Sequence, residues 1–150
     1  MSRYLSRDIE RLLQAEIAAV LTYTAAVARR MGLGVSEIAA LEHLQGAGEL
    51  TPGQLGGRLS MTSGAVTALV DRLEREGFVE RLPNPRDRRS SILRPTAGGT
   101  EEAMRHLGPL AVEIQKITND LSGEERDAVG KFMQSVTAAI THQAQDKKDQ

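Results

Sequence analysis

The chain has 150 residues, 40% apolar and 26% charged, with 19 Lys and Arg against 20 Asp and Glu and no cysteine. That is enough for one domain with a proper core, and it excludes disulfides, thiolate metal sites and thiol redox sensing. No run of eighteen apolar residues exists to span a bilayer, and the charged opening MSRYLSRDIE lacks the apolar core of a secretory signal, so the expected location is the cytoplasm.

Aromatic residues are scarce: Tyr4, Tyr23, Phe78 and Phe132. The core must come from Leu, Val, Ile, Ala and Met, and Ala-rich segments without β-branched runs favour helix. In residues 5–31, Leu5, Ile9, Leu12, Leu13, Ile17, Val20, Leu21, Tyr23 and Val27 recur every three to four positions, predicting one long helix. It is too long for a single small domain to cover. MGLG at 31–34 stops it. Ser36 is the expected N-cap of a second helix, with Ile38, Leu41 and Leu44 inward and an end near Gly46. Thr51, Pro52 and Gln54 form an N-cap, a first-turn proline and a capping box, opening a short helix over about 52–59. Residues 60–62 read as a turn. Thr62 or Ser63 then caps a helix with Val66, Leu69, Val70 and Leu73 on one side, and Gly77 ends it.

FVERL at 78–82 and SSILR at 90–94 read as two short strands, joined by a loop longer than the usual hairpin turn. Thr96 starts another helix, in which Pro109 removes a backbone hydrogen bond and predicts a kink. Ser122 and Glu125 make a second capping box, opening a last helix through Val129, Phe132, Met133, Val136 and Ile140. The tail QAQDKKDQ has no apolar face and is expected to fray. The fold class is therefore mainly α with a small β-hairpin wing. A winged helix-turn-helix spans 36–95 of a single 1–150 domain. The helices at 5–31 and 97–142 carry apolar faces that the central module cannot cover, and such faces usually bury against a second copy.

Charge is unevenly placed. Residues 51–95 hold eight Arg against five acids, a basic middle in a chain of net charge −1, which suits an anionic partner. A recognition helix enters the major groove with its N-terminal residues toward the bases, and here those residues are small: Thr62, Ser63, Gly64, Ala65, Thr67 and Ala68. Small residues permit close approach, hydroxyls can meet base or phosphate, and Ala methyls can meet thymine methyls. The loop PNPRDRR gathers Arg86, Arg88 and Arg89 around Asp87. Arginine suits a narrow minor groove, where the negative potential is enhanced. Asp87 does not suit a phosphate contact, but it suits an anchor that orients Arg89. The bland reading is a solvated loop with a weak local ion pair. It loses ground because the loop follows a recognition-type helix.

The segment LTPGQL…SGAVTALVDRLEREGFVERLPNPRDRRSSILRPTAGG resembles the MarR family of transcriptional regulators over about residues 35–99, most specifically in VTALVDRLEREGFVER and in the DRR loop. The resemblance implies a homodimeric winged helix-turn-helix protein that binds palindromic double-stranded DNA and is released by a small-molecule effector. It puts Asp87 and Arg89 on the family's wing pair, with the Arg in the minor groove, and Arg72 near the phosphate backbone. Two positions depart from the pattern: Gly56 stands where Ala is usual, beside Gly57, and Pro95 stands where Leu is usual. An effector pocket is expected between the outer helices and the winged module, and few aromatics are available to build it by ring stacking.

No catalytic residue, cofactor or metal site is expected. His43, His106 and His142 have no paired-histidine spacing. Glu42, His43, Glu101, Glu102 and His106 read as helix-surface residues rather than a converging metal set. Asp8, Glu10 and Glu16 lack the paired environment of acid–base catalysis, and no phosphate-cradling glycine loop follows a strand. The competing class is a protein-interaction module that keeps the fold without specific DNA binding.

Overall fold

The computed structural model describes residues 2–87 and 89–145. Arg88 and part of the expected frayed tail, 146–150, lie outside the described residues. Six helices and one hairpin follow in chain order: α1 (Ser2–Met31), α2 (Val35–Ala47), α3 (Pro52–Leu59), α4 (Ser63–Arg75), β1 (Val79–Pro83), β2 (Ser91–Pro95), α5 (Ala97–Asn119) and α6 (Gly123–Gln145). The mainly α architecture with a β-hairpin wing is as the sequence predicts.

The helix ends follow local chemistry. Gly32, at φ 67°, closes α1, and the Leu33 N–H bonds the Ala28 carbonyl at 2.9 Å. The cap of α2 is Gly34, not Ser36. Glu37 explains the difference: it sits at the third helical position and its carboxylate accepts the Gly34 N–H at 2.6 Å, so the cap is built from the far side of the box. The helix also runs one residue past Gly46 and turns at Gly48, φ 76°. α3 begins as predicted: Thr51 Oγ1 accepts from the Gln54 N–H at 3.2 Å, and Gln54 Oε1 accepts the Thr51 N–H at 2.8 Å. The Ser122–Glu125 box is formed in the same reciprocal way.

Both strands start one residue later than the sequence pattern suggests. The Phe78 N–H is committed to the Leu73 carbonyl, sealing α4 after Gly77 at φ 80°. The Ser90 N–H is committed to the Asp87 carbonyl within the loop. Neither amide is left for the ladder. The strands pair antiparallel from Val79 opposite Pro95 to Pro83 opposite Ser91; the two prolines thus take the ends, where a missing N–H matters least. A bridge outside the hairpin, Leu50 to Leu93, adds the α2–α3 linker to its edge. Pro109 lies inside α5, which continues through it as one helix.

The core lies between α1's last turns, α2, α3, α4 and the hairpin. Ile38, Leu41, Leu44, Leu55, Leu73 and Leu93 are its largest fully enclosed side chains. Outside it, apolar residues face solvent in numbers on the long helices: Leu12 (64% exposed) and Leu21 on α1, Ile114 and Ile117 (67%) on α5, Val129 and Phe132 on α6.

Candidate nucleic-acid interface

α4 owes its orientation to its own amphipathy. Val66, Leu69, Val70 and Leu73 are buried, which turns Ser63, Gly64, Ala65, Thr67 and Ala68 outward. The exposed side of its first turns is therefore a strip of small side chains on a rigid, well-packed helix. Thr62 is the N-cap; its Oγ1 accepts the Ala65 N–H at 3.3 Å, so its first role is to start the helix. The Thr67 hydroxyl donates to the Ser63 carbonyl at 2.9 Å, leaving the methyl and the oxygen lone pairs for a partner. The turn before α4 depends on Ser60, in the left-handed region at φ 53°, whose hydroxyl donates to the Ala144 carbonyl of α6 at 3.4 Å. Gly56 allows the close crossing of α3 and α4. A Cβ there would stand 2.9 Å from Val66 Cγ2 and 3.4 Å from the Met61 carbonyl oxygen.

The wing tip is a folded loop. Asp87 Oδ1 accepts the Arg89 backbone N–H at 2.9 Å. Asp87 thus shapes the chain beneath Arg89 rather than holding its guanidinium. Asn84 does the same on the other limb: its Oδ1 accepts the Arg86 N–H at 2.9 Å and its Nδ2 donates to Ser90 Oγ at 2.7 Å. Asn84 and Ser90 were not among the expected site residues. The signal was present in Asn84-Pro85, since Asn side chains cap turns of this kind.

The charge pattern separates two groups of arginine. On the strands, Arg81 is paired with Asp71 at 2.6 Å and Glu74 at 3.4 Å, and Arg94 with Glu80 at 2.9 Å and Glu49 at 3.7 Å. These take up four of the eight acids of residues 36–95. At the tip, Arg86 and Arg89 are exposed, and no salt bridge to either is found among the described residues. The local positive charge is therefore concentrated at the end of the wing.

Arg72 is placed differently from the other expected contacts. Its Nε lies 3.2 Å from Glu37 Oε1, and its Nη2 donates to the Gly32 carbonyl at 3.0 Å. Glu37 is 6% exposed, while the Arg72 side chain keeps 45% of its surface.

Among the described residues no group of three or more His, Asp or Glu is placed to hold a metal. His106 Nε2 lies 3.1 Å from Glu102 Oε1 within α5, and Arg105 pairs with Glu101 and Glu102. Burial, with Arg58 next in weight, pushes the His43 imidazole below its ordinary pKa against a smaller opposing pull from Glu42. Among the described residues no helix is long and apolar enough to cross a membrane. A cleft of about 230 Å³ lies between α1, α2 and α5, lined by Tyr23, Glu42, Gln45, Met104, Leu107 and Ile114 among others. The Tyr23 hydroxyl, at its edge, donates to the His106 carbonyl at 3.1 Å, and Gln45 Nε2 is buried with no hydrogen-bond acceptor.

A capped recognition-type helix, a short helix crossing it through a tight turn, and a hairpin with an arginine tip define a winged helix-turn-helix protein. The MarR family's sequence model matches residues 31–90. The chain is 32% identical over 108 residues to the HTH-type transcriptional regulator YcgE of Bacillus subtilis, covering 72% of this chain and 70% of that one. Its fold is similar to that of Streptococcus pneumoniae FabT in complex with DNA, with TM-score 0.67, 25% identity and coverage of 89% and 96% of the two chains. It is also similar to a mutant Escherichia coli MarR complexed with operator DNA, with TM-score 0.53, 26% identity and coverage of 86% and 95%. The chain belongs to the MarR family of transcriptional regulators.

Proposed function

We propose that this regulator is a repressor that binds an inverted-repeat operator as a homodimer and lets go of it when a small molecule binds. The observation that carries DNA contact is the distribution of paired and unpaired arginine: acids neutralise the strands, while the tip presents Arg86 and Arg89 to whatever lies beside α4. In this reading Ser63, Gly64, Ala65, Thr67 and Ala68 line the major groove, with Thr62 fixing the helix start. Arg86, Arg88 and Arg89 enter or flank the minor groove, with Asp87 shaping their loop, and Arg72 meets the backbone. Two recognition helices would enter successive major grooves about 34 Å apart.

The apolar faces of α1, α5 and α6 favour the homodimer, because patches of that extent rarely stay in water. The cleft at Tyr23, Gln45 and Met104 favours an effector that is largely apolar and carries an acceptor for the Gln45 amide. Selection of bound fragments from the host genome tests the reading directly. It should return an inverted repeat, and titration of that duplex should give a steeply negative dependence of log affinity on log salt. Recovery of no enriched sequence, with a flat salt response, would leave a protein-interaction module instead.

A further inference from the structure

The joint between α1 and α2 and the distant helix α4 meet at one buried carboxylate. Glu37 Oε2 accepts the Gly34 N–H at 2.6 Å, fixing the start of α2. Glu37 Oε1 lies 3.2 Å from Arg72 Nε on the third turn of α4. Arg72 Nη2 in turn donates to the carbonyl of Gly32, in the turn that ends α1. Glu37 is a buried charged side chain beside the core, and a carboxylate so enclosed needs both its partners. A guanidinium has five N–H donors in a fixed plane. Here Nε and Nη2 are engaged, while no protein partner for Nη1 is found among the described residues, and the side chain is nearly half exposed.

We infer that Glu37 is a positioning residue for DNA binding. It locks the Arg72 guanidinium by one edge against the α1–α2 joint, so that the opposite edge is held ready for a backbone phosphate. The inference rests on the DNA-binding reading above and adds to it a residue that never touches DNA. Prepaid orientation is what makes it matter. A free arginine loses rotamer freedom on meeting a phosphate, whereas one already clamped by a buried acid and a carbonyl loses little. Glu37 also keeps α4 from sliding along the joint, since its two oxygens hold α2 and α4 at the same time.

The test is the salt dependence of binding to an operator duplex by the full chain, for wild type, Glu37→Gln, Arg72→Ala and the double variant, with melting midpoints followed alongside. Glu37→Gln keeps an amide oxygen for the Gly34 N–H, so the α2 cap survives while the charge on Arg72's partner is lost. Arg72→Ala should weaken binding and reduce the salt slope by about 1, the signature of one lost phosphate contact. Glu37→Gln should weaken binding several-fold and lose most of that same increment of slope. In the Arg72→Ala background, Glu37→Gln should cost no further affinity. An unchanged slope in Arg72→Ala overturns the inference, as does Glu37→Gln binding with wild-type affinity and slope. An equal loss from Glu37→Gln in both backgrounds also overturns it, because that marks a folding defect unrelated to Arg72. If wild type itself binds no duplex, the regulatory reading fails, and that result is distinct from all three.

Discussion

Asp87 gives its carboxylate to the Arg89 backbone amide, and this changes what its removal should do. Arg89→Ala deletes a cation from the tip and should weaken binding to every duplex, with the preference for narrow A·T-rich flanks fading. Asp87→Ala leaves the cation but loosens the turn beneath it, so it should weaken binding less, with the salt slope kept. Substitutions at Ser63 or Thr67 should instead change which bases are preferred, by about 1–3 kcal/mol per lost base contact. Titrating each variant against a panel of operators separates the three patterns; wild-type affinity of Arg89→Ala for every duplex at physiological salt would reduce the wing to a solvated loop. His43 supplies a second test at this scale. Its pKa is lowered in the fold, chiefly by burial and then by Arg58, so the unfolded chain takes up its proton first as pH falls. Stability should therefore drop from about pH 6.5, the ordinary imidazole value, down to the lowered value, and level off below it. His43→Gln should flatten that part of a melting-temperature profile. The arginines at the tip were legible as a cluster because all of them lie within seven residues. The Arg72 clamp was not, because Glu37 and Gly32 lie 35 and 40 positions away in sequence and no local pattern marks the pairing.

Helix starts were legible wherever the cap residue itself carries a hydroxyl, as at Thr51, Thr62, Thr96 and Ser122. The start of α2 was not, since glycine offers no capping side chain and Glu37 supplies the bond alone. Strand ends slipped by one residue because the Phe78 and Ser90 amides are taken by turns, and the Leu50–Leu93 bridge is a long-range pairing that alternation in one strand cannot reveal. The glycines of α3 and α5 give opposing predictions. A Cβ at Gly57 meets nothing within 4 Å, so Gly57→Ala should stabilise by about 1 kcal/mol through helix propensity. A Cβ at Gly99 would stand 2.4 Å from the Phe78 carbonyl oxygen and 2.6 Å from its Cα. Backbone cannot yield as a side-chain tip does, so Gly99→Ala should destabilise by at least about 1–3 kcal/mol. Urea titration of both variants measures the pair; equal midpoints would mean that α5 does not crowd the strand as described.

At the scale of the whole molecule, α6 is the least supported element. Among its described residues only Gly130 and Val136 are partly shielded, while Val129, Phe132 and Ile140 are exposed. Such a helix should not persist alone in water, since most helical stability comes from packing of an apolar face. Its fold should thus depend on a second chain. The melting temperature should rise with protein concentration, and a chain lacking residues 1–25 should lose both dimer and α6 helicity in sedimentation and circular dichroism. A truncated chain that stayed folded and dimeric would contradict this. With no cysteine in the sequence, treatment with an organic hydroperoxide at doses that spare methionine should leave a DNA complex intact.

The near-contact of Gly99 with Phe78 also has a mechanical meaning. The Thr96 N–H bonds the Phe78 carbonyl at 3.0 Å and the Thr96 hydroxyl donates to the Gly77 carbonyl at 2.6 Å, so the root of the hairpin and the first turn of α5 are joined as one body. α5 is 23 residues long, a rod of about 35 Å at 1.5 Å per residue. With the root of the wing fixed to one end of this rod, a given sideways displacement of α5 at Met104, nearer the joint, would turn that joined body through a larger angle than the same displacement at Ile117. Distance labels on Val79 and Gly98, either side of this joint, should therefore hold a constant separation with and without bound DNA.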